Sequence, residues 1–283
     1  MIDPAAILAY DFGQPEQGYV ARDAILYALG LGLGEDPLDR DDLRFLDERA
    51  LSVLQAFAVT LCSPGMWIRD PALGVDFGKL VHLAQFAEFP ASLPATATVR
   101  GEAEVISLTD RGEGKGAVLV LERRISDAAT GTLYCRLHQT LLLRGDGGFG
   151  GAPALRSDEP SPSAVPDAVA TIVTSPRAAL IYRLSGDWNP LHLDPQVAAQ
   201  AGFSRPILHG LASYGMAGAA VSRAARRDPA AMSKLACRFS GVVLPGDELS
   251  FKVWKQGVAS ARFCAFVGER KVLDDGKIEW RSE

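Results

Sequence analysis

Read for its alternation of apolar and polar positions, the chain falls into two parts of similar layout. Residues 117–143, AVLVLERRISDAATGTLYCRLHQTLLL, alternate on either side of a polar turn at Asp127 to Gly131. That pattern predicts two antiparallel strands. Residues 258–280, VASARFCAFVGERKVLDDGKIEW, read the same way, with Asp275-Gly276 as the hairpin signal. Ahead of these pairs, SLPATATVRGEAEV in the first part resembles LPGDELSFKVW in the second.

Each part opens on a short helical pattern. RDAILYALGLGLGEDPLD occupies residues 22–39, and RAALIYRLSGDWNPLHLDP occupies residues 177–195. Ser175 is an N-cap candidate for the second, with Pro176 in the first turn. Aligning Tyr27 with Tyr182 also aligns Leu29 with Leu184 and Asp39 with Asp194, so the parts read as diverged copies. A further segment, Gly210 to Arg226, is rich in Ala, Gly and Ser with apolar positions almost all round. This predicts a buried helix that approaches other backbone closely.

Gly, Pro and Ser dominate from Gly145 to Pro166, where no apolar period survives. The expected division is therefore a first domain over 1–144, a linker over 145–166 and a second domain over 167–283.

Composition narrows the function without naming it. Hydrophobic residues make up 48% and charged residues 22%, the balance of a soluble globular protein. A net charge of −5 gives no basic footprint for nucleic acid. No apolar run is long enough to span a bilayer. The N-terminus lacks the pattern of a signal peptide, and the terminal Arg-Ser-Glu is not a peroxisomal address. The four cysteines are scattered and form no Cys-x-x-Cys pair, so neither a disulfide framework nor a zinc site is expected. These features point to a reduced, cytoplasmic compartment.

The candidate chemistry is concentrated in Tyr182 to Pro195. Asp187, Asn189, His192 and Asp194 fall within eight residues, beside Gly186 and Pro190. Pro190 excludes a helix interior, and the spacing from Asp187 to His192 does not suit one helical face. The segment must be a loop that bends both side chains towards one point. Ordinary turn chemistry accounts for part of it: Asp194 reads as the N-cap of a short helix closed by Gly202, and Asn189 could simply brace the loop. Farther on, Arg-Pro-Ile-Leu-His-Gly leads into the small-residue helix. The first N–H groups of a helix lack internal partners and favour negative charge, so Gly210 N–H is a natural oxyanion donor. His209, just before it, reads equally as a packing residue or a substrate contact. Tyr182 and Ser185 are further substrate-contact candidates.

SGDWNPLHLDP followed by AGFSRPILHGLASYG resembles the hydratase motif of the MaoC-like family, the (R)-specific type-2 enoyl-CoA hydratases and dehydratases. YALGLG, LRFL, FAVTL, GVDFGKLVH and SLP are similar to the non-catalytic half of its two-domain members. The resemblance implies an α+β double hotdog: two bent antiparallel sheets, each associated with helices, and one complete central helix in the C-terminal half. It implies that Asp187 and His192 hold the attacking water with help from Asn189, and that Gly210 supplies the oxyanion N–H. An acyl-CoA thioester is then the substrate, no cofactor or metal is needed, and a homodimer is open. One departure is His-Leu-Ala-Gln at 82–85, where the family commonly has a more polar HGEQ-like run. It bears on the acyl pocket more than on the reaction.

Under the Tyr27/Tyr182 alignment, Gly32, Gly34 and Pro37 stand opposite Asp187, Asn189 and His192. No acid/base group remains in the first half, so one site per chain is expected, with Gly32 and Gly34 leaving room for an acyl tail. The GLGLG run lacks the spacing of a dinucleotide fingerprint. Three rivals share the pattern: a dehydratase on acyl-carrier-protein substrates, a hotdog thioesterase and a non-catalytic acyl-CoA-binding protein. A serine hydrolase is disfavoured because Ser213 sits in GLASYG, not in G-x-S-x-G.

Overall fold

The alternating segments of the first part form strands β1 (Glu16–Tyr19), β2 (Leu80–Glu88), β3 (Ala97–Asp110), β4 (Ala117–Asp127) and β5 (Leu133–Leu143) in a computed structural model that describes residues 2–150, 162 and 164–282. Those of the second part form β6 (Ala168–Val173), β7 (Met232–Phe239), β8 (Glu248–Lys255), β9 (Ser260–Val267) and β10 (Arg270–Trp280). All ten join one antiparallel sheet in the order β1-β3-β4-β5-β2-β7-β10-β9-β8-β6. The two halves meet edge to edge where β2 pairs with β7, from Ala84↔Arg238 to Glu88↔Lys234. This is the double hotdog that the sequence implies.

The helices are α1 (Pro4–Leu8), α2 (Ala21–Gly30), α3 (Arg40–Leu43), α4 (Ala178–Tyr182), α5 (Pro195–Gln200) and α6 (Gly210–Ala224). Helix α6 is the small-residue segment, and Ala212 to Ser222 are all buried. It shares one core with Leu235, Leu249, Phe251, Val253, Phe263 and Ile278 of the second-half strands. Two polar ties fix its rotation: the Tyr214 hydroxyl donates to Leu235 O at 2.8 Å, and Trp280 Nε1 donates to Ser222 Oγ at 2.9 Å. Both are buried, where an unpaired polar group would be costly.

The first half fills the corresponding space differently. Its apolar sheet face is covered by short 3-10 turns at Gln55–Thr60 and Trp67–Arg69 and by α1. Arg123 on β4 is buried and closes the end of the first turn, donating to Leu61 O at 2.9 Å and Val59 O at 2.8 Å.

The repeat is visible in matched details. Asp39 caps α3 by accepting from Asp41 N and Asp42 N, and Asp194 caps α5 by accepting from Gln196 N and Val197 N. The rings of Tyr27 and Tyr182 meet at a tilt of 52°, centroids 5.8 Å apart. Two local expectations change. Helix α4 starts after Arg177, not Ser175, whose Oγ accepts from Arg177 N in a turn before the helix. Asp275-Gly276 is not a hairpin turn; it lies inside β10 as a bulge, with Asp275 at φ 48°. A Cβ at Gly276 would stand 2.5 Å from Phe263 O, so the glycine serves close strand approach there, and the β9–β10 turn falls at Gly268-Glu269. Of the linker, 151–161 and 163 lie outside the described residues; its first part is docked, with Gly148 N donating to Asp110 at 2.9 Å.

Candidate active site

The loop between α4 and α5 holds its shape through its own polar residues. Gly186 turns the chain at φ 111°, a left-handed conformation that glycine adopts without strain. Asp187 Oδ1 then accepts from Asn189 N at 3.1 Å, and Asn189 Oδ1 accepts from Leu191 N at 3.1 Å. Pro190 opens a 3-10 turn, Pro190–His192, which swings His192 inward until it is buried. His192 Nδ1–H donates to the Ile207 carbonyl at 2.9 Å, so the lone pair stays on Nε2.

The segment before α6 closes the site. Ile207 N donates to Leu191 O at 3.3 Å, tying it to the loop. His209 is 1% exposed and stacks on His192, centroids 3.7 Å apart at 27°. Its Nε2–H donates to the Asp187 main-chain carbonyl at 3.3 Å. Gly210 is the first residue of α6, where an N–H has no intrahelical acceptor. A Cβ at Gly210 would sit 3.2 Å from Cε1 of Phe239 on β7, so a larger residue there would press on that ring.

Electrostatics keep the imidazoles neutral. Burial pushes the His192 pKa down, against the pull of the Ile207 carbonyl and Asp187. Burial, and then His192, push His209 down to about 3. Asp187 is partly exposed, so the pair combines a solvent-reachable carboxylate with a neutral, desolvated imidazole.

Asp187, His192 and His209 each offer a metal-ligating atom, all within 4.8 Å of one another. One nitrogen of each ring is already committed, His192 Nδ1 to Ile207 O and His209 Nε2 to Asp187 O, which leaves a single nitrogen per ring for any ligand.

The other expected residues are placed as follows. Tyr182 is 1% exposed, beneath His209, with ring centroids 5.0 Å apart. Ser185 Oγ is buried in the turn that precedes Gly186. Gly32, at φ 90°, lines a cavity of about 150 Å³ with Ala170, Ile172, Ala219, Ala220 and Arg223. Gly34 N donates to Asp42, and a Cβ there would lie 2.6 Å from Leu46, so packing fills that position.

Two residues near the site were not among its expected members: His82 comes from the first half across the seam, and Phe239 ends β7 beside it. His82 on β2 packs against Phe239, centroids 4.8 Å apart. Burial lowers its pKa to about 4, while the Asp187 charge acts in the opposite direction. The only signal was the histidine of His-Leu-Ala-Gln. Phe239 gave none. On the other side, Arg183 lies 4.4 Å over the ring of the exposed Trp188.

Known protein families match the two parts of the chain separately. The MaoC like domain matches residues 158–275, and the MFE-2 hydratase 2 N-terminal domain matches residues 18–145. The chain belongs to the two-domain MaoC-like hydratases and dehydratases of the hydratase 2 type. It is 40% identical to 3-hydroxyacyl-thioester dehydratase Y of Mycobacterium tuberculosis, over 92% of each chain. It is 37% identical to the peroxisomal enoyl-CoA hydratase 2 of Arabidopsis thaliana, over 89% of this chain and 87% of that one. The crystal structure of a MaoC-like dehydratase from Phytophthora capsici superposes with a TM-score of 0.84 at 28% identity, covering all of both chains. No helix among the described residues is long and apolar enough to cross a membrane.

Proposed function

We propose that the chain is an (R)-specific 2-enoyl-CoA hydratase and 3-hydroxyacyl-CoA dehydratase, a hydro-lyase working without a cofactor. The observation that carries the reading is the convergence of Asp187 and a neutral His192 beside the N-terminus of α6.

In a 2-enoyl thioester the carbonyl makes C3 electrophilic, and addition of water places enolate charge on the thioester oxygen. With that oxygen at Gly210 N–H, the helix terminus meets the developing charge. Water held by Asp187, His192 and Asn189 attacks C3 from one face. One member of the acid/base pair accepts a proton from water, and the pair delivers a proton to C2. The His192 Nδ1–H bond to Ile207 O leaves Nε2 available for that transfer. One face of attack gives one enantiomer, the (3R) product for this family.

The division of labour follows the halves: residues 1–144 shape the acyl site and residues 167–283 do the chemistry. The cavity at Gly32 supports a tail-binding role for the first half. It flanks Ala219 and Ala220, about 14 Å along α6 from Gly210 at 1.5 Å per residue. A reduced compartment such as the cytoplasm is consistent with four free, buried cysteines, and a homodimer is open. The test is turnover of a panel of 2-enoyl-CoA and 3-hydroxyacyl-CoA thioesters with chiral analysis of the product. A (3S) or racemic product, or thioester hydrolysis without hydration, defeats the reading. Preference for acyl-carrier-protein thioesters reassigns the carrier and leaves the chemistry.

A further inference from the structure

Gly210 carries an N–H that must be aimed, yet it has no side chain to anchor it, and glycine is the residue with the most backbone freedom to lose. A donor of this kind works only when it is held within about 0.5 Å of its productive position. Main-chain bonds hold the residues just before it: Ile207 N donates to Leu191 O at 3.3 Å, and Leu208 N donates to Val243 O at 2.8 Å. Gly210 itself meets a ring. The three atoms nearest to a Cβ at that position are Cε1, Cδ1 and Cζ of Phe239, at 3.2, 3.4 and 3.5 Å.

Phe239 is the last residue of β7, one beyond the final β2–β7 pair, Ala84↔Arg238. From the first half, His82 packs on its ring, centroids 4.8 Å apart at 60°. Simple strand alternation would turn His82 away. Ala84 pairs with Thr140 and Phe86 with His138, on the face opposite the buried Leu137 and Leu141, and an unbroken ladder would keep His82 on that outer face. A bulge intervenes. The pairing skips Leu83, and His82 stands opposite Leu141. The extra residue reverses the alternation, so His82 shares the inner face with Gln85 and Ala87, both buried. A main-chain carbonyl can only accept, so His82 Nε2–H donates to Ala84 O at 3.1 Å, which fixes the ring.

We propose that His82 and Phe239 form a strut across the seam that positions Gly210 N–H for the thioester oxygen. The assignment rests on reading Gly210 N–H as the oxyanion donor. The bulge at Leu83 turns His82 inward, His82 backs the Phe239 ring, and the ring bears on the first residue of α6. The first half thus takes part in catalysis through packing. His82 acts here as a positioning residue: a strut needs its flat ring, whereas a group that bonds substrate or moves a proton needs its nitrogens.

The discriminating series is His82→Ala, His82→Gln and His82→Phe. Loss of the ring in the first two should lower kcat about 10-fold while KM stays within about twofold. His82→Phe keeps a ring and should stay within about threefold of the wild-type kcat. The carbonyl stretch of a bound, carbonyl-labelled enoyl thioester, read by infrared difference, should fall less in the Ala and Gln variants than in the wild type and the Phe variant. In a Phe239→Leu background, His82→Ala should cost less than about twofold more, because its route to Gly210 is already cut. If His82→Ala does not fold, His82→Gln carries the same test. A His82→Phe enzyme as slow as His82→Ala overturns the strut and makes the imidazole itself a participant. Unchanged kcat without the ring overturns it, and so does a change confined to KM or an undiminished loss in the Phe239→Leu background. The Gly210 amide resonance of the ligand-free protein keeps this apart from the functional reading. It should move in His82→Ala and return in His82→Phe, whatever the protein hydrates. A stationary resonance defeats the strut, while a wild type that hydrates no enoyl thioester defeats the functional reading instead.

Discussion

The two halves share a strand scaffold and differ first in the loop that carries chemistry. Asp39 and Asp194 do the same work, capping α3 and α5 at equivalent positions. Five and seven residues earlier the halves part: Gly34 and Gly32 stand where Asn189 and Asp187 lie in the second half. The second difference is the helix. The second half presents α6, whose free N-terminus faces the Asp187–His192 loop, while the first half covers its sheet with 3-10 turns. A carboxylate and an imidazole gain catalytic use only beside a group that receives developing charge. A half without that helix end has no position where they would serve.

The comparison can be broken most sharply at the pair itself. Asp187→Asn and His192→Gln should each lower hydration turnover by about 100-fold or more, the scale of a lost acid/base group. Near wild-type rates with unchanged melting temperature would move the site elsewhere. Gly210→Pro tests the helix end. Proline is tolerated at the first helical position, so the substitution removes the N–H and little else of the backbone. Paired with Phe239→Leu to relieve the 3.2 Å contact, it should cost on the order of 100-fold in kcat. Phe239→Leu alone is the control, and equal rates in the two proteins would deny the N–H its role.

A smaller effect follows from protonation. Burial depresses the folded-state pKa of His209, so the unfolded chain binds the extra proton first as pH falls. Stability is therefore full above about pH 6.5 and is lost as pH drops towards 3. At pH 5 the loss from His209 is about 2 kcal/mol. Melting temperature between pH 7 and 5 measures it, and His209→Gln should flatten the slope; an unchanged slope would mean the imidazole is hydrated. The smallest effects should be the matched caps. Asp39→Ala and Asp194→Ala should each cost about 1 kcal/mol. Only Asp194→Ala should also touch turnover, because its cap adjoins the His192 turn. Denaturant midpoints and kcat for both variants check this.

Much of the architecture was legible because it is periodic. Strand alternation, the small-residue helix and the Asp187-to-His192 loop each announce themselves within about twenty residues. What stayed hidden depends on partners distant in sequence. Asp275-Gly276 has the composition of a turn, yet the close approach of Phe263 O uses its glycine for a bulge. Gly34 looked like open space because it lacks a side chain, and Leu46 fills that space. His82 and Phe239 belong to strands that meet only at the seam.

That seam also has a consequence for how the protein is made. β2 and β7 are roughly 150 residues apart along the chain, the kind of non-local pairing that forms late. On a ribosome working at about 5–20 residues per second, the first half waits on the order of 10–30 s for its neighbouring strand. Through that interval β2 is an open sheet edge, free to pair with another nascent copy. The strand that joins the halves in the finished enzyme is thus the one most exposed to misassembly during synthesis.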